Sequence, residues 1–202
     1  KINKNVLEVV KELWNKDLGI AGLPKREDRE IPSYPYPDME KENLTQEQKE
    51  EIKQWKYRAT FCHRENVKSR SLRLSTIQII NTADNFSNYD EIYFPHNVDF
   101  RGRVYPIPVL LQPQGNDLSK GLLIFAEGKK LDENSVKWLK IHCANTYGND
   151  KVSFDERINW VNENIEKIKN IVLDPINNLN DWIQADKPFQ FLASCIELKG
   201  YL

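Results

Sequence analysis

The sequence has no run of eighteen or more apolar residues and only three cysteines, and both features limit what the chain can be. Without a long apolar run, no membrane-spanning helix is predicted, and the first residues of the sequence do not predict a charged-then-apolar leader. Cys62, Cys143 and Cys195 are far apart and lack metal-ligand spacing, so the pattern favours neither a disulfide scaffold nor a zinc site. We expect three buried thiols in a reducing compartment.

Familiar catalytic motifs are also missing. The chain contains neither a phosphate-binding Walker loop nor a Rossmann fingerprint. Its histidines, His63, His96 and His142, are scattered, and His142 is expected to be a core residue because its predicted helix is apolar. The acids of "DNFSNYDE" have no spacing that requires a metal or general acid–base chemistry. The residues alone therefore predict no catalytic or metal site.

Helical periodicity covers most of the chain and predicts a mainly α fold with a small β element (α+β). A helix over 2–15 is followed by a linker that is rich in glycine and proline. At Thr45 the pattern "TQEQ" has the form of a capping box, and no Gly or Pro follows before Phe86. One helix over this stretch would be roughly 60 Å long.

The last third is predicted to be helical, after a short β region. "EIYFP" and "VDFRGRVYPIP" have the composition of short strands, and "PQGNDLSKG" that of a turn, whereas "LLIFAEG" is ambiguous between strand and helix. A helix is predicted from a cap at Asp132 to Gly148, and a capping box "SFDE" at 153–156 begins the next. An apolar stripe follows this box and ends before Pro175, and a last helix covers 187–200. The stripe consists of Ile158, Val161, Ile165, Ile168 and Val172.

The segment "NVDFRGRVYPIP", residues 97–108, is the first candidate binding site. In an extended chain, side chains alternate between two faces, so one face would carry Asp99, Arg101, Arg103 and Tyr105. Two guanidiniums about 7 Å apart on a strand match successive phosphates of a nucleic acid, and each binds phosphate in a bidentate manner. Gly102 would allow a ligand to approach the backbone closely. The alternative is a solvated hairpin with a local Asp–Arg ion pair.

The basic run from Lys56 to Arg73 is the second candidate. It contains a single Glu, and Arg64, Arg70 and Arg73 concentrate positive charge in one stretch near aromatic residues, as in the electrostatic footprint of a polyanion-binding protein. The alternative is an ordinary solvated helix face. Lys120 lies in a glycine-bounded turn, where it is either a phosphate contact or a plain surface lysine.

Four blocks of the sequence occur together in a recognisable order: "YFPHNVDFRGRVYP", "PQGNDLSKGLLIFAEGKKL", "WLKIHCAN" and "ADKPFQFLASCIEL". They resemble the single-subunit DNA-dependent RNA polymerases of mitochondria, plastids and T-odd-type bacteriophages. The resemblance extends to "WKYRATFCHRENVKSRSLRL" and, more weakly, to "INKNVLEVV", so it covers nearly the whole chain. "PHNVDFRGR" is more similar to the organellar members, since phage members often have tryptophan after the aspartate.

This resemblance implies how the chain is organised. Residues 1–44 would be a helix and a Pro-rich linker, 45–90 a thumb-like helical region, 91–131 the start of the palm, and 132–202 a helical palm insertion. The magnesium-binding aspartates and the fingers residues that handle the nucleotide would follow Leu202, so these 202 residues alone are expected to be inactive.

The resemblance also implies roles for the candidate residues. The Asp-x-x-Gly-Arg motif, here Asp99 to Arg103, would lie beside the template and the RNA:DNA hybrid, with Asp99 orienting Arg103 or a backbone donor. Tyr105 and Lys120 match neighbouring positions that face nucleic acid. The basic thumb helix would grip the hybrid through Arg64, Arg70 and Arg73, although Leu72 interrupts a stretch that is more continuously basic in phage members.

The partners implied are a DNA template, the RNA transcript, ribonucleoside triphosphates and transcription initiation factors, with Mg²⁺ as the cofactor of the intact enzyme. The expected location is the mitochondrion, with a plastid or an organellar linear plasmid as alternatives. Two other functions stay open: a non-catalytic nucleic-acid-binding or scaffold module derived from the same region, and a helical interaction protein with no nucleic-acid role. A polymerase would continue beyond Leu202 into aspartate-bearing palm motifs, whereas a binding module would not.

Overall fold

A computed structural model describes residues 1–39 and 44–202 of the chain. It confirms the predicted fold class, because helices dominate and one two-stranded antiparallel sheet accompanies them. The α-helices are α1 (Lys4–Asn15), α2 (Gln46–Phe86), α3 (Asp117–Gly121), α4 (Glu133–Tyr147), α5 (Phe154–Glu163), α6 (Ile165–Leu173) and α7 (Pro188–Tyr201). The strands are β1 (His96–Val98) and β2 (Val104–Pro106), and a short 3-10 helix covers Leu179–Asp181.

Contacts divide the chain into two compact units. The first unit combines residues 1–23 with 77–202, and the second comprises residues 24–76. Helix α2 therefore contributes its residues up to Thr76 to the second unit and those from Ile77 to the first. The four functional segments inferred from the family resemblance have other boundaries, and they stay a prediction.

The core of the first unit lies among α1, α4, α5, α6 and α7. Trp182, Phe189 and Phe191 are its largest fully buried side chains, and α1 adds an apolar face that includes Leu7 and Leu13. Burying one such side chain stabilises the fold by about 1.5–3 kcal/mol. This packing holds α7, and through it α3, in a fixed position.

The ambiguous segment "LLIFAEG" is extended where it meets the start of the chain. Asn3 N–H donates to the carbonyl of Leu122 at 2.8 Å, and Ile124 N–H donates to that of Lys1 at 3.0 Å. Ile2 and Leu123 form an isolated antiparallel bridge. Backbone pairing with residues over one hundred positions away therefore decides between strand and helix here.

The predicted helix caps are confirmed. Thr45 and Gln48 exchange side-chain and backbone hydrogen bonds at the start of α2, and Asp132 accepts from Ser135 N–H at 2.7 Å. Ser153 and Glu156 form the complete capping box of α5. Gly148 ends α4 with φ of 117°, in the left-handed region that glycine adopts readily. These signals are local, so the sequence was sufficient to find them.

Three local predictions are wrong. The stripe after the "SFDE" box does not lie on one helix, because Asn164 separates α5 from α6 and its side-chain amide donates to the carbonyl of Trp160 at 2.8 Å. "EIYFP" forms no strand, since β1 begins at His96. His142 is exposed rather than part of the core. Of the three cysteines, Cys143 and Cys195 are buried as expected, whereas Cys62 is half-buried.

Candidate nucleic-acid interface

Residues 99–103 form the turn that joins β1 to β2. Both the backbone and the side chain of Asp99 close this turn: Asp99 N–H donates to the carbonyl of Arg103 at 2.9 Å, and Asp99 Oδ1 accepts from the N–H groups of Arg101 at 2.8 Å and Arg103 at 2.9 Å. Gly102 has φ of 78°, a conformation that disfavours other residues. The motif therefore specifies a capped turn. Asp99 accepts hydrogen bonds from the N–H groups two and four residues later, and Gly102 adopts the positive φ that the turn requires.

The prediction of an extended polar strip over 99–105 is wrong for this reason. Side chains alternate between faces only within the strands, where Asn97 pairs with Tyr105 and Val98 with Val104. The turn interrupts this alternation of side chains. The distance of about 7 Å predicted between the guanidiniums of Arg101 and Arg103 in an extended strand therefore no longer applies. Asp99 orients backbone donors, which is one of the two roles expected of it.

The cationic groups of the turn are exposed and available. The Arg101 guanidinium lies 5.0 Å from the centroid of the Phe100 ring. Within residues 1–39 and 44–202, the Arg103 guanidinium and the Tyr105 hydroxyl have neither a hydrogen bond nor an ion pair. The alternative of a local Asp–Arg ion pair therefore does not describe this hairpin, since the Asp99 carboxylate binds backbone donors instead.

Apolar side chains around the same hairpin are exposed as well. Phe100 is 90% exposed, Val98 66% and Val104 50%. The hairpin is nevertheless anchored, because Gln114 Nε2 donates to the carbonyl of Val104 at 3.1 Å and Ile107 N–H donates to that of Pro95 at 2.8 Å. An anchored hairpin with this much exposed apolar surface is typical of a contact site.

Lys120 lies in helix α3 and not in a turn, which corrects the sequence prediction. Asn116 caps α3 by accepting from Ser119 N–H at 2.9 Å. Gly121 lies against α7: a Cβ atom there would come within 2.7 Å of the Cβ of Phe189. Capping and packing therefore fix α3, and they leave Lys120 exposed, with no partner for its ammonium group in the described part of the chain.

In the second unit, residues 26–36 run along helix α2, and we call them the strap. The Asp28 carboxylate binds the guanidiniums of Arg70 and Arg73, with Arg70 Nε at 2.8 Å, and Arg73 also donates to the carbonyl of Arg26. Asn66 exchanges two hydrogen bonds with the backbone of Arg29, at 2.8 and 2.9 Å. The hydrogen bonds from the two arginines lower the pKa of Asp28 below its ordinary value.

Further along the strap, Trp55 Nε1 donates to the carbonyl of Pro32 at 2.7 Å, and the Trp55 ring meets Tyr34 edge to face at 5.1 Å. The hydroxyl of Tyr36 donates to Glu51, which raises the pKa of Tyr36. The strap is thus held to α2 at several points along its length.

Two of the three arginines predicted for α2 are therefore engaged within the protein. Arg70 and Arg73 neutralise Asp28, whereas Arg64 is exposed and binds none of the residues in 1–39 and 44–202. Sequence reasoning missed Asp28, because 42 and 45 residues separate it from its two partners. No local pattern connects an acid in a Pro-rich linker with cations on a distant helix turn.

The described part of the chain contains neither a metal-binding cluster nor a membrane-spanning helix. Across residues 1–39 and 44–202, no three His, Cys, Asp or Glu side chains are grouped so that they could hold a metal ion. In the same residues, no helix has the length and apolar character needed to cross a membrane.

Comparison with known proteins gives a consistent result. The family model for DNA-dependent RNA polymerase matches residues 129–202. Over 201 residues, 99% of the chain, the sequence is 42% identical to the DNA-directed RNA polymerase of Enterobacteria phage T3. It is 38% identical over its whole length to the mitochondrial DNA-directed RNA polymerase of Neurospora crassa, and 36% identical to the chloroplastic DNA-directed RNA polymerase 3 of Nicotiana sylvestris, again over its whole length.

The chain spans only part of each of these relatives: 22% of the phage protein, 14% of the Neurospora protein and 20% of the Nicotiana protein. The matches nevertheless cover 99–100% of this chain, at 36–42% identity to polymerases from a phage, a mitochondrion and a chloroplast. The chain is therefore similar, along its whole length, to one segment of the single-subunit DNA-directed RNA polymerases.

Proposed function

We propose that the chain is a segment of a DNA-directed RNA polymerase and that it positions the DNA template and the RNA:DNA hybrid through cationic contacts. The observation that carries the proposal is the turn over 99–103. Its backbone is fixed by Asp99, and it presents Arg101 and Arg103 to solvent without a carboxylate partner. Arginines that are held by a rigid turn and lack an internal partner suit binding to phosphate.

The remaining contacts of the first unit would come from Tyr105 and Lys120. Tyr105 follows the turn on β2, and Lys120 is exposed on the fixed helix α3. The backbone of both residues is held in place by other parts of the unit. A fixed backbone position matters because a displacement of the reacting groups by about 1 Å can reduce the rate of nucleotidyl transfer about 100-fold.

This segment would position nucleic acid rather than perform chemistry. Across residues 1–39 and 44–202, no three His, Cys, Asp or Glu side chains are grouped to hold a metal ion, and no step through a metal is assigned to these residues. We place the magnesium-binding aspartates, and the residues that bind ribonucleoside triphosphates, in the part of the parent protein outside these 202 residues. By itself the segment would then bind nucleic acid without synthesising RNA.

We further propose that the parent protein transcribes organellar DNA, with the mitochondrion as the compartment and a plastid or an organellar linear plasmid as alternatives. Mitochondrial and chloroplastic relatives match the chain over its full length. The identity to phage T3 polymerase, 42%, is higher than the 38% and 36% to these relatives, so identity does not favour an organelle and the preference rests on Phe100. At this position, directly after the motif aspartate, phage members often have tryptophan.

The test is binding of a labelled RNA:DNA hybrid to the chain at several salt concentrations. Each phosphate contact contributes about 0.9 to the slope of log affinity against log salt on duplex DNA. Substitution of Arg103→Ala should weaken hybrid binding and reduce the slope by roughly one. The matched control is Lys151→Ala, which removes the same charge from an exposed residue that is not part of the hairpin. An unchanged slope in the Arg103 variant would count against the proposal.

A further inference from the structure

We propose that helix α2 contacts nucleic acid through the face opposite the strap and that the ligand of this face is a single strand with unpaired bases. The residues concerned are Tyr57, Phe61, Arg64 and Lys68, which we call the outer face. The inference rests on the proposed function, because it specifies which helix surface takes part and which form of nucleic acid it binds.

Helix geometry separates the outer face from the strap. At about 100° per residue, positions 57, 61, 64 and 68 fall within about 60° of one another. The residues that hold the strap fall within a similar arc, about 180° away. They are Trp55, Asn66, Arg70 and Arg73. The strap therefore covers one side of α2 and leaves the other side open.

Charge availability distinguishes the two sides. On the strap side, Asp28 neutralises Arg70 and Arg73, and a phosphate would have to displace this carboxylate. On the outer face, Arg64 has no partner among the described residues, and Lys68 pairs only with Glu65, at 3.1 Å, in an exposed ion pair. Such surface pairs contribute little to stability, so a phosphate can compete for Lys68.

Aromatic exposure indicates the form of nucleic acid. Tyr57 is 78% exposed and Phe61 51% exposed. The two rings are about one helical turn apart, and Phe61 lies about one turn before Arg64. Large aromatic side chains on a helix surface are costly to leave in water, and together with cations they form the stacking surface of proteins that bind single strands. In a duplex or hybrid, base pairing and stacking hide the base faces. The outer face therefore fits a strand before or after it is paired.

The experiment measures the affinity of the chain for a labelled single-stranded oligonucleotide, with an RNA:DNA hybrid as the second probe. Phe61→Ala and Tyr57→Ala should each weaken single-strand binding about 5- to 150-fold, from 1–3 kcal/mol per stacked base, with little change in salt slope. Arg64→Ala should instead reduce the slope by about 0.7. Leu74→Ala is the control, because Leu74 is an exposed apolar residue of α2 outside the outer face.

The outcomes separate this inference from the proposed function. If the aromatic variants bind single strands as the Leu74 variant does, the inference is wrong, whatever the hybrid shows. If hybrid binding still depends on Arg103 in that case, the proposed function stands although the inference about the outer face is wrong. If the unmodified chain binds neither probe at low salt, both are wrong. Circular dichroism of each variant checks that α2 is intact.

Discussion

The strongest structural prediction concerns Asp117, which connects α3 to the start of α7. Lys187, the N-cap residue of α7, provides no side-chain cap, and Asp117, which lies 72 residues before Phe189, caps the helix instead. Its carboxylate accepts from the N–H groups of Phe189 at 2.9 Å and Gln190 at 3.1 Å, and from the side-chain amide of Gln190 at 3.0 Å. Asp117→Ala leaves these donors without their acceptor.

The expected loss follows from two contributions. Removal of an N-cap acceptor costs about 1 kcal/mol, and loss of a negative charge at a helix N-terminus costs up to about 1 kcal/mol more. The free energy of unfolding of Asp117→Ala should therefore fall by about 2 kcal/mol, and the midpoint of thermal unfolding by about 4–8 °C. Asp117→Asn should lose about half as much, because a neutral acceptor makes weaker hydrogen bonds than a carboxylate.

Urea denaturation followed by tryptophan fluorescence is the assay. Trp182 reports on this region because its ring lies 6.0 Å from that of Phe189 in α7. Glu127→Ala is the control, since it removes one exposed carboxylate from the same unit. If Asp117→Ala and Glu127→Ala unfold at the same urea concentration, Asp117 does not cap α7 and the reasoning is refuted.

Two further predictions test packing and charge. Gly121→Ala should lower the free energy of unfolding by about 1–3 kcal/mol, because the new methyl group would lie 2.8 Å from the backbone of Phe189. The same urea assay measures this loss. An unchanged free energy of unfolding would contradict the close approach of Gly121 to Phe189. The strap should loosen on acidification, because the pKa of Asp28 is lower in the folded chain than in the unfolded chain. The Asp28 carboxylate therefore stabilises the fold above the ordinary Asp pKa of about 3.9, and this stabilisation is lost as the pH falls through the pKa of Asp28 in the folded chain. Trp55 fluorescence should report this loss, and the transition should be absent in Asp28→Asn; an identical acid transition in that variant would assign the change to another group.

The sequence was sufficient for elements whose signals are local. The long helix α2, the caps at Thr45, Asp132 and Ser153, and the glycine that ends α4 all follow from residues a few positions apart. The break at Asn164 was missed because the apolar period continues through it, whereas the Asn164 side chain bonds the carbonyl of Trp160 where α5 ends.

The candidate site was less predictable. The motif at 99–103 was identified, but its extended interpretation was wrong because an Asp that accepts two nearby N–H groups favours a turn. The engagement of Arg70 and Arg73 by Asp28 depends on tertiary contacts between distant segments, and no periodicity carries that information. Which cations are free to bind a ligand was therefore visible only in the structure.

The central claim is that this chain binds nucleic acid through fixed, partner-free cations, and the salt dependence of hybrid binding by the unmodified chain tests it most directly. We expect measurable binding at about 50 mM salt and a linear fall of log affinity with log salt, because phosphate contacts release counterions. The slope should indicate several contacts, and Arg103→Ala should remove one. Absence of binding at this salt concentration, or an affinity that does not change with salt, would contradict the claim.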